Sequence, residues 1–509
     1  MPPDTTVSPT PVGANPRRWQ ALFFIALAQL MVVLDGTIVN IALPTAQEDL
    51  GISAGDRQWV ITAYALAFGG LLLFGGRISD IWGRQRTFIL GLVGFAFASA
   101  LGGAAQNQLM MFGARALQGV FGALLAPAAL ALLTVMFTDV KERAKAFGVF
   151  GAIAGAGAAV GLLLGGVLTE YLDWRWTFYV NVPFAVVAVI GAVLVIREPD
   201  EARNRSPLDV PGVLLATLGL VALVYGFSRA EHQGWSETWV IASFVASAVL
   251  LIAFVVVESR VEHPLLPLRV LTDRNRGGTY LAFALAVIAM FGLFLFLTLY
   301  LQIIREYSPV QTGVAFLPMV VGMIIGSTQI APRLTPLVAP RYLMGPGLLV
   351  ASLGMLWLTQ LELDSSYATV IMPGQVLLGL GMGTAFMAGM SLATSGVRPT
   401  DAGVASAMVN TAQQIGGAVG TALLNTIAAS ATSGYLAARL QDATTDDAQL
   451  QLRLASEVHG YSVAIWWGFG IIATGAVIAF LLINAERGGG RSGAEGEEAG
   501  EQPAPVLVH

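Results

Sequence analysis

Long apolar runs alternate along the chain with short breaks of charged, Pro or Gly residues. The runs fall at 19–44, 58–78, 87–105, 109–137, 146–170, 176–196, 210–228, 239–257, 277–304, 312–332, 342–360, 369–394, 402–429 and 462–484. Nearly all reach the roughly 20 residues a helix needs to cross the hydrocarbon of a bilayer. Backbone groups in lipid must bond within their own segment unless the chain closes a barrel, and runs this continuous lack a barrel strand's alternation. The pattern predicts an all-α integral membrane protein with 14 transmembrane helices. Between the last two runs, residues 430–461 are polar and helix-permissive and are expected to form the largest extracellular loop. Residues 1–18 and 485–509 read as tails, the second Gly/Glu/Pro-rich and disordered.

Composition agrees. The chain is 55% hydrophobic and 12% charged, against about a quarter charged in soluble domains. It has no cysteine, which excludes disulfides and thiolate metal sites, and its four histidines fall outside the apolar runs, so no metal site is expected within the membrane. A net charge of −5 gives no reason to expect a nucleic-acid partner. An even number of spans puts both termini on one side, and the breaks assigned to that side hold most of the 27 lysines and arginines. The bias makes that side cytoplasmic. Only Lys141 and Lys145 are lysines, which suggests a GC-rich genome, so a bacterial cell-membrane protein is expected.

The few ionisable residues inside the runs are the candidate chemistry. Asp35 lies in the first run, about two-thirds of the way towards the outer face, where a charge near a helix centre costs roughly 2.5–3.5 kcal/mol and needs a reason. Arg115 is in the fourth run, within Arg115-Ala116-Leu117-Gln118-Gly119. Arginine does not deprotonate, so it needs a partner or water, and Asp35 is the only acid at comparable depth in the first-half runs. A structural pair would account for both residues. Such a pair is also a switch, because protonating Asp35 changes what Arg115 does. The fifth run carries Gly151, Gly155, Gly157, Gly161, Gly165 and Gly166, a smooth face for close helix packing. The second-half runs hold no ionisable residue. Asn410, Gln413 and Gln414, with Asn40 and Gln118 of the first half, are candidates for a polar cavity wall, interhelical bonding being the plainer reading.

Several strings carry a resemblance. The loop Gly76-Arg77-Ile78-Ser79-Asp80-Ile81-Trp82-Gly83-Arg84-Gln85-Arg86 resembles the signature loop of the major facilitator superfamily. Leu34-Asp35-Gly36-Thr37-Ile38-Val39-Asn40-Ile41-Ala42-Leu43-Pro44, the Arg115 to Gly119 string, Trp174 to Pro183 and Asn410 to Gly417 are similar to its fourteen-span drug:proton antiporter family. The resemblance implies a gating role for Gly76, Asp80, Gly83 and Arg84, proton coupling or substrate contact at Asp35 and Arg115, and an antiporter helix with Gly157, Gly161, Gly165 and Gly166. That family has a proline after the first glycine of its fifth-span motif; here the position is Leu162, which removes the expected kink.

The expected organisation is a cytoplasmic tail to residue 18, a six-helix bundle at 19–196, a linker with two inserted helices at 197–276, and a second six-helix bundle at 277–484. Parallel six-helix repeats around a central pathway are one transporter plan. The expected function is proton-coupled export of small hydrophobic drugs or antibiotics, cationic ones included, with export of a lipid, siderophore or self-made antibiotic as the alternative. No cofactor beyond the proton gradient is expected, and the partners are the substrate, protons and lipid, with the protein a monomer. An ATP-driven pump would need a phosphate-binding GxxxxGK[ST] loop, which the chain lacks. An enzyme would need a nucleophile with its base or a metal set in the membrane. A channel differs in being unable to move substrate uphill, and an importer differs in direction.

Overall fold

The computed structural model describes residues 17–52, 59–196, 207–395, 397–442 and 445–485, and within them the chain is helical apart from short connections. The first half comprises α1 (Arg18–Asp49), α2 (Trp59–Trp82), α3 (Arg84–Gly103), α4 (Gln108–Met136), α5 (Val140–Tyr171), α6 (Trp176–Tyr179) and α7 (Asn181–Val195). Two helices follow, α8 (Val210–Gln233) and α9 (Thr238–Glu258). The second half comprises α10 (Leu268–Thr272), α11 (Arg274–Leu299), α12 (Pro309–Ala315), α13 (Leu317–Ile325), α14 (Ala331–Leu334), α15 (Arg341–Leu358), α16 (Met372–Ala393), α17 (Ala402–Arg439) and α18 (Asp446–Leu482). Among the described residues thirteen helical segments are long and apolar enough to cross a membrane. The run count differs by one: the run at 146–170 lies in α5, a 32-residue helix several of whose side chains are outside the described residues.

Packing divides the helices into two equivalent sets. In the first half α2 and α3 pack on α4, α1 packs on α5 and α7, and α3 packs on α7. In the second half α13 and α15 pack on α16, α11 packs on α17 and α18, and α15 packs on α18. Mapping α1, α2, α3, α4, α5 and α7 onto α11, α13, α15, α16, α17 and α18 reproduces each of these pairs. The contacts between halves obey the same mapping, with α2 on α17 matched by α13 on α5, and α4 on α17 matched by α16 on α5. This is a parallel repeat with its pathway between the bundles. The pair α8–α9 breaks the symmetry, because α8 packs on both α2 and α17. Ile241, Val245, Val249 and Ile252 of α9, three or four residues apart, are exposed on one face, the disposition of a helix turned to lipid.

Local chemistry sets the ends. Asn107, Asp139, Asp209 and Ser308 accept hydrogen bonds from first-turn amides of α4, α5, α8 and α12, so helix starts coincide with polar breaks in the pattern. Between α2 and α3 the chain reverses at Gly83, whose φ of 107° favours glycine. The stretch 430–461, polar and helix-permissive, is largely helical among the described residues: α17 runs on to Arg439 and α18 starts at Asp446, and on α17 Arg439 lies over the Tyr435 ring at 3.7 Å. His459 is on this extension of α18, its ring 4.5 Å from that of Tyr435. The tails lie almost wholly outside the described residues.

Candidate functional site

Asp35 is fully buried where α1 meets α3, α4 and α7. Its Oδ2 accepts from Arg115 Nη1 at 2.6 Å, and its Oδ1 accepts from Gln118 Nε2 at 2.7 Å and Asn181 Nδ2 at 2.9 Å. Arg115 and Gln118 are three apart on α4 and so share a face; Arg115 Nη1 also donates to Gln118 Oε1 at 2.8 Å. Arg115 Nε donates to the Val60 carbonyl at 2.9 Å, and the guanidinium sits 4.5 Å from the centre of the Tyr64 ring. Ser99 Oγ accepts from Gln118 Nε2 at 2.8 Å and from Asn181 Nδ2 at 3.4 Å. The carboxylate thus has one cation and two amides around it, the condition for keeping a charge in a membrane interior.

Helix α5 backs this cluster with glycine. A Cβ on Gly157 would lie 2.7 Å from Val33 Cγ1, one on Gly165 would lie 2.9 Å from Ile38 Cγ1, and one on Gly161 would collide with Thr37 Oγ1. These residues flank Asp35 on α1, so the glycines let α5 approach the segment that carries the acid. Gly166 is also buried.

A cavity of about 310 Å³ lies between the halves. Tyr64, Arg115, Gly36 and Thr37 line it from the first half, and Phe291, Phe294, Met319, Met323, Met382 and Phe386 from the second. Asn410, Gln413 and Gln414 also line it. Asn410 Nδ2 bonds back to the Ser406 carbonyl, whereas Gln413 Nε2 is buried without an acceptor among the described residues. Gln118 is not among the lining residues; its amide is bonded within the Asp35 cluster. The Asn40 side chain lies outside the described residues. Arg115 and Tyr64 belong to both wall and cluster, so they separate the cavity from Asp35.

At the end of the molecule that carries Arg84 and Arg143 the two halves are bonded to each other. Asp80 is fully buried; its Oδ1 accepts from Arg84 Nη2 at 3.0 Å and Gly403 N at 2.8 Å, and its Oδ2 accepts from Val404 N at 3.1 Å. A carboxylate from α2 therefore caps the N-terminus of α17 across the interface, where free amides and the helix dipole favour negative charge. The residue at the N-cap position, Asp401, makes no such bond and pairs with Arg269 at 2.6 Å. Gly76 lets the two helices close, since a Cβ there would lie 2.5 Å from the Gly403 carbonyl oxygen. A second bridge runs from Arg143 of α5 to Thr394 Oγ1, beyond α16, at 2.7 Å. Burial lowers the pKa of Arg143 to about 10. At the opposite end, Asp49 accepts from Arg175 Nη1 at 2.7 Å and Trp174 Nε1 at 3.2 Å, and the Arg175 bond, then that of Trp174, holds its carboxyl below the usual range.

Charge within apolar runs pointed to Asp35 and Arg115, and the resemblance of the Gly76 to Arg86 string pointed to Asp80 and Arg84. Sequence reasoning gave no role to Tyr64, Ser99, Arg143 or Thr394. Asn181 stood in the Trp174 to Pro183 string, which carried part of the resemblance without a role for this residue.

Two six-helix bundles, a cavity between them and one buried acid beside it define a membrane transporter. The Major Facilitator Superfamily model matches residues 25–421, and the chain belongs to that family. It is 54% identical over 475 residues to the puromycin resistance protein pur8 of Streptomyces alboniger, covering 93% of each chain. It is 39% identical to the cephamycin export protein CmcT of Amycolatopsis lactamdurans, over 86% of this chain and 90% of that one. The crystal structure of the human organic anion transporter MFSD10 shares the fold, with a TM-score of 0.62 at 15% identity, over 90% of this chain and 99% of that one.

Proposed function

We propose that the chain exports small hydrophobic antibiotics from the cytoplasm in exchange for protons, with Asp35 as the proton-carrying group. The observation that carries this reading is the buried Asp35–Arg115 pair at 2.6 Å with its cation in the cavity wall. With Asp35 charged the pair is neutral and the aromatic and Met-lined cavity accepts a cationic or neutral molecule. With Asp35 protonated, Arg115 is left as an uncompensated charge facing the cavity, which disfavours a cation and favours rearrangement; an uncompensated buried charge costs about 3–5 kcal/mol. Proton and substrate thereby compete without touching the same atom. Each inward proton charge supplies about 2.3 kcal/mol per 100 mV of membrane potential.

The arginine bias supports a position of the Asp80 latch at the cytoplasmic face of the cell membrane. The latched arrangement is then the state closed to the cytoplasm, and Gly76, Asp80, Gly83 and Arg84 form its gate. The two relatives, named for puromycin resistance and cephamycin export, support an antibiotic as substrate, including one made by the producing cell itself.

The test is puromycin-triggered proton release from proteoliposomes loaded with a pH-sensitive dye, comparing wild type with Asp35→Asn. Release by wild type and none by the variant is expected. Equal release by both would remove Asp35 from the coupling step, and puromycin uptake without proton movement would end the antiport reading.

A further inference from the structure

Asn181 opens α7 immediately after the short α6, and it is fully buried. Its Nδ2 donates to Asp35 Oδ1 at 2.9 Å, while its Oδ1 is buried with no hydrogen-bond donor among the described residues. The nitrogen and oxygen of a carboxamide are assigned from their surroundings, and here the carboxylate decides: an amide oxygen turned to Asp35 would set two acceptors against each other. The orphan oxygen is then a consequence of the charge on Asp35. Leaving a buried acceptor unmatched costs about 1–3 kcal/mol, so its presence beside the acid invites an explanation.

Protonation inverts the demand. A neutral Asp35 becomes a donor and needs an acceptor. Gln118 Oε1 is held by Arg115, and Ser99 Oγ already accepts from two amides. Asn181 Oδ1 is the unengaged acceptor of the cluster. The charged and titratable groups facing the site are Asp35 on α1, Arg115 on α4 and Tyr64 on α2; α3 and α7 bring the neutral Ser99 and Asn181, and α5 faces α1 with glycine.

We propose that Asn181 is a positioning residue that reads the protonation state of Asp35 by rotating its carboxamide. When Asp35 is charged, Nδ2 donates to it. When Asp35 carries a proton on Oδ1, the amide turns about its last torsion, which is broad and roughly two-fold, and its oxygen accepts from the acid. No covalent bond changes in the amide. One N–H···O⁻ bond is exchanged for one O–H···O=C bond, and the long 3.4 Å bond of Nδ2 to Ser99 Oγ is given up, leaving the Ser99 hydroxyl, itself a donor, facing the amide oxygen. The consequence of the turn is to offer the proton a defined partner once Arg115 is released, so that the neutral acid stays in place on α1 for the rest of the cycle.

This inference rests on Asp35 being the proton site, and the test separates the two. Infrared difference spectra are recorded on the purified full-length protein across a pH step, for wild type, Asn181→Leu and Asp35→Asn. Wild type is expected to give a carboxylic C=O band at the low frequency of a hydrogen-bonded acid, absent in Asp35→Asn. In Asn181→Leu that band is expected to move up to the frequency of a free acid. A band that stays in place in Asn181→Leu means that another group accepts the proton, and it overturns the role of Asn181 while leaving Asp35 intact. Absence of any Asp35-dependent band overturns both. Should Asn181→Leu not fold, wild type labelled with ¹³C in the asparagine side-chain carbonyl supplies the readout. An isotope-sensitive amide band that shifts with pH in wild type but not in Asp35→Asn is expected, and no such band overturns the proposal.

Discussion

A buried carboxylate needs donors from elsewhere in the chain, and at Asp35 three come from two helices, Arg115 and Gln118 on α4 and Asn181 on α7. Arg115 was legible because an unpaired arginine in an apolar run demands an acid, and Asp35 was the only candidate at its depth. The amides were harder to read. Gln118 is polar and lies three residues from Arg115, which suits a cavity wall as well as a buried cluster, and nothing in the sequence says which way the shared face turns. Ser99 is a small residue in an apolar helix, and many such residues merely return a bond to their own backbone, as Thr37 does here to the Leu34 and Val33 carbonyls. At the end of the molecule opposite Asp80, Asp49 allows a prediction from its own titration. Its folded value lies below the ordinary carboxylate value, with the Arg175 bond the first cause. The stabilisation it gives is therefore complete above about pH 4, its unfolded value, and is lost as pH falls through the folded value. Thermal unfolding of wild type and Asp49→Asn should differ at pH 7 and converge in strong acid; a difference that persists there would mean that the contact stabilises by shape and not by charge.

Helices in this molecule act through their ends and their bare faces. α17 starts at the interface between the halves, and its first free amides are satisfied by a side chain from α2. Asp80 was recognisable from the pattern Gly76 to Arg86, which forms the end of α2 and the start of α3, but its partner was not, because Gly403 and Val404 contribute only backbone and carry no side-chain signal. Asp80→Ala removes the acceptor for two buried amides and for Arg84. A buried donor left unmatched costs about 1–3 kcal/mol, and about 1.4 kcal/mol is a tenfold change in an equilibrium constant, so the cytoplasm-closed state should lose at least about tenfold in population. Labelling of a cysteine placed at Asn410, in the cavity, should become faster from the cytoplasmic side, against a background free of native cysteine. An unchanged labelling rate would remove Asp80 from the latch. The glycine face of α5 is the counterpart. Its small residues predicted close packing, and the structure adds that the packed partner is the stretch of α1 around Asp35. With Leu162 where the family motif has proline, α5 continues unbroken along that face.

At the scale of the whole chain, periodic hydropathy carried the two bundles and the inserted pair, because a bilayer forces each crossing to be a long apolar helix. It could not carry what the inserted pair touches, since lipid-facing and helix-facing residues are apolar alike. In the structure α8 lies along the seam of α2 and α17 and is tied to both sides: Thr62 Oγ1 and Ser228 Oγ are 3.0 Å apart between α2 and α8, and Trp235 Nε1, just beyond α8, donates to Thr426 Oγ1 of α17 at 2.7 Å. A cycle that opens the α2–α17 seam cannot keep both ties. The packing of α8 along α2 starts at buried positions, with Val221 and Val224 against Gly70 and Gly69, whereas the Trp235 tie is exposed. The insertion should therefore travel with the first bundle and slide over α17. Replacing Thr62 and Ser228 together by cysteine puts two thiols where two hydroxyls now meet, and the chain has no other cysteine to interfere. Oxidising that pair should leave puromycin-triggered proton release within about twofold of the reduced protein, a change worth only about 0.4 kcal/mol. Loss of release on oxidation, restored by reductant, would mean that α8 parts from α2 during transport and moves with the second bundle.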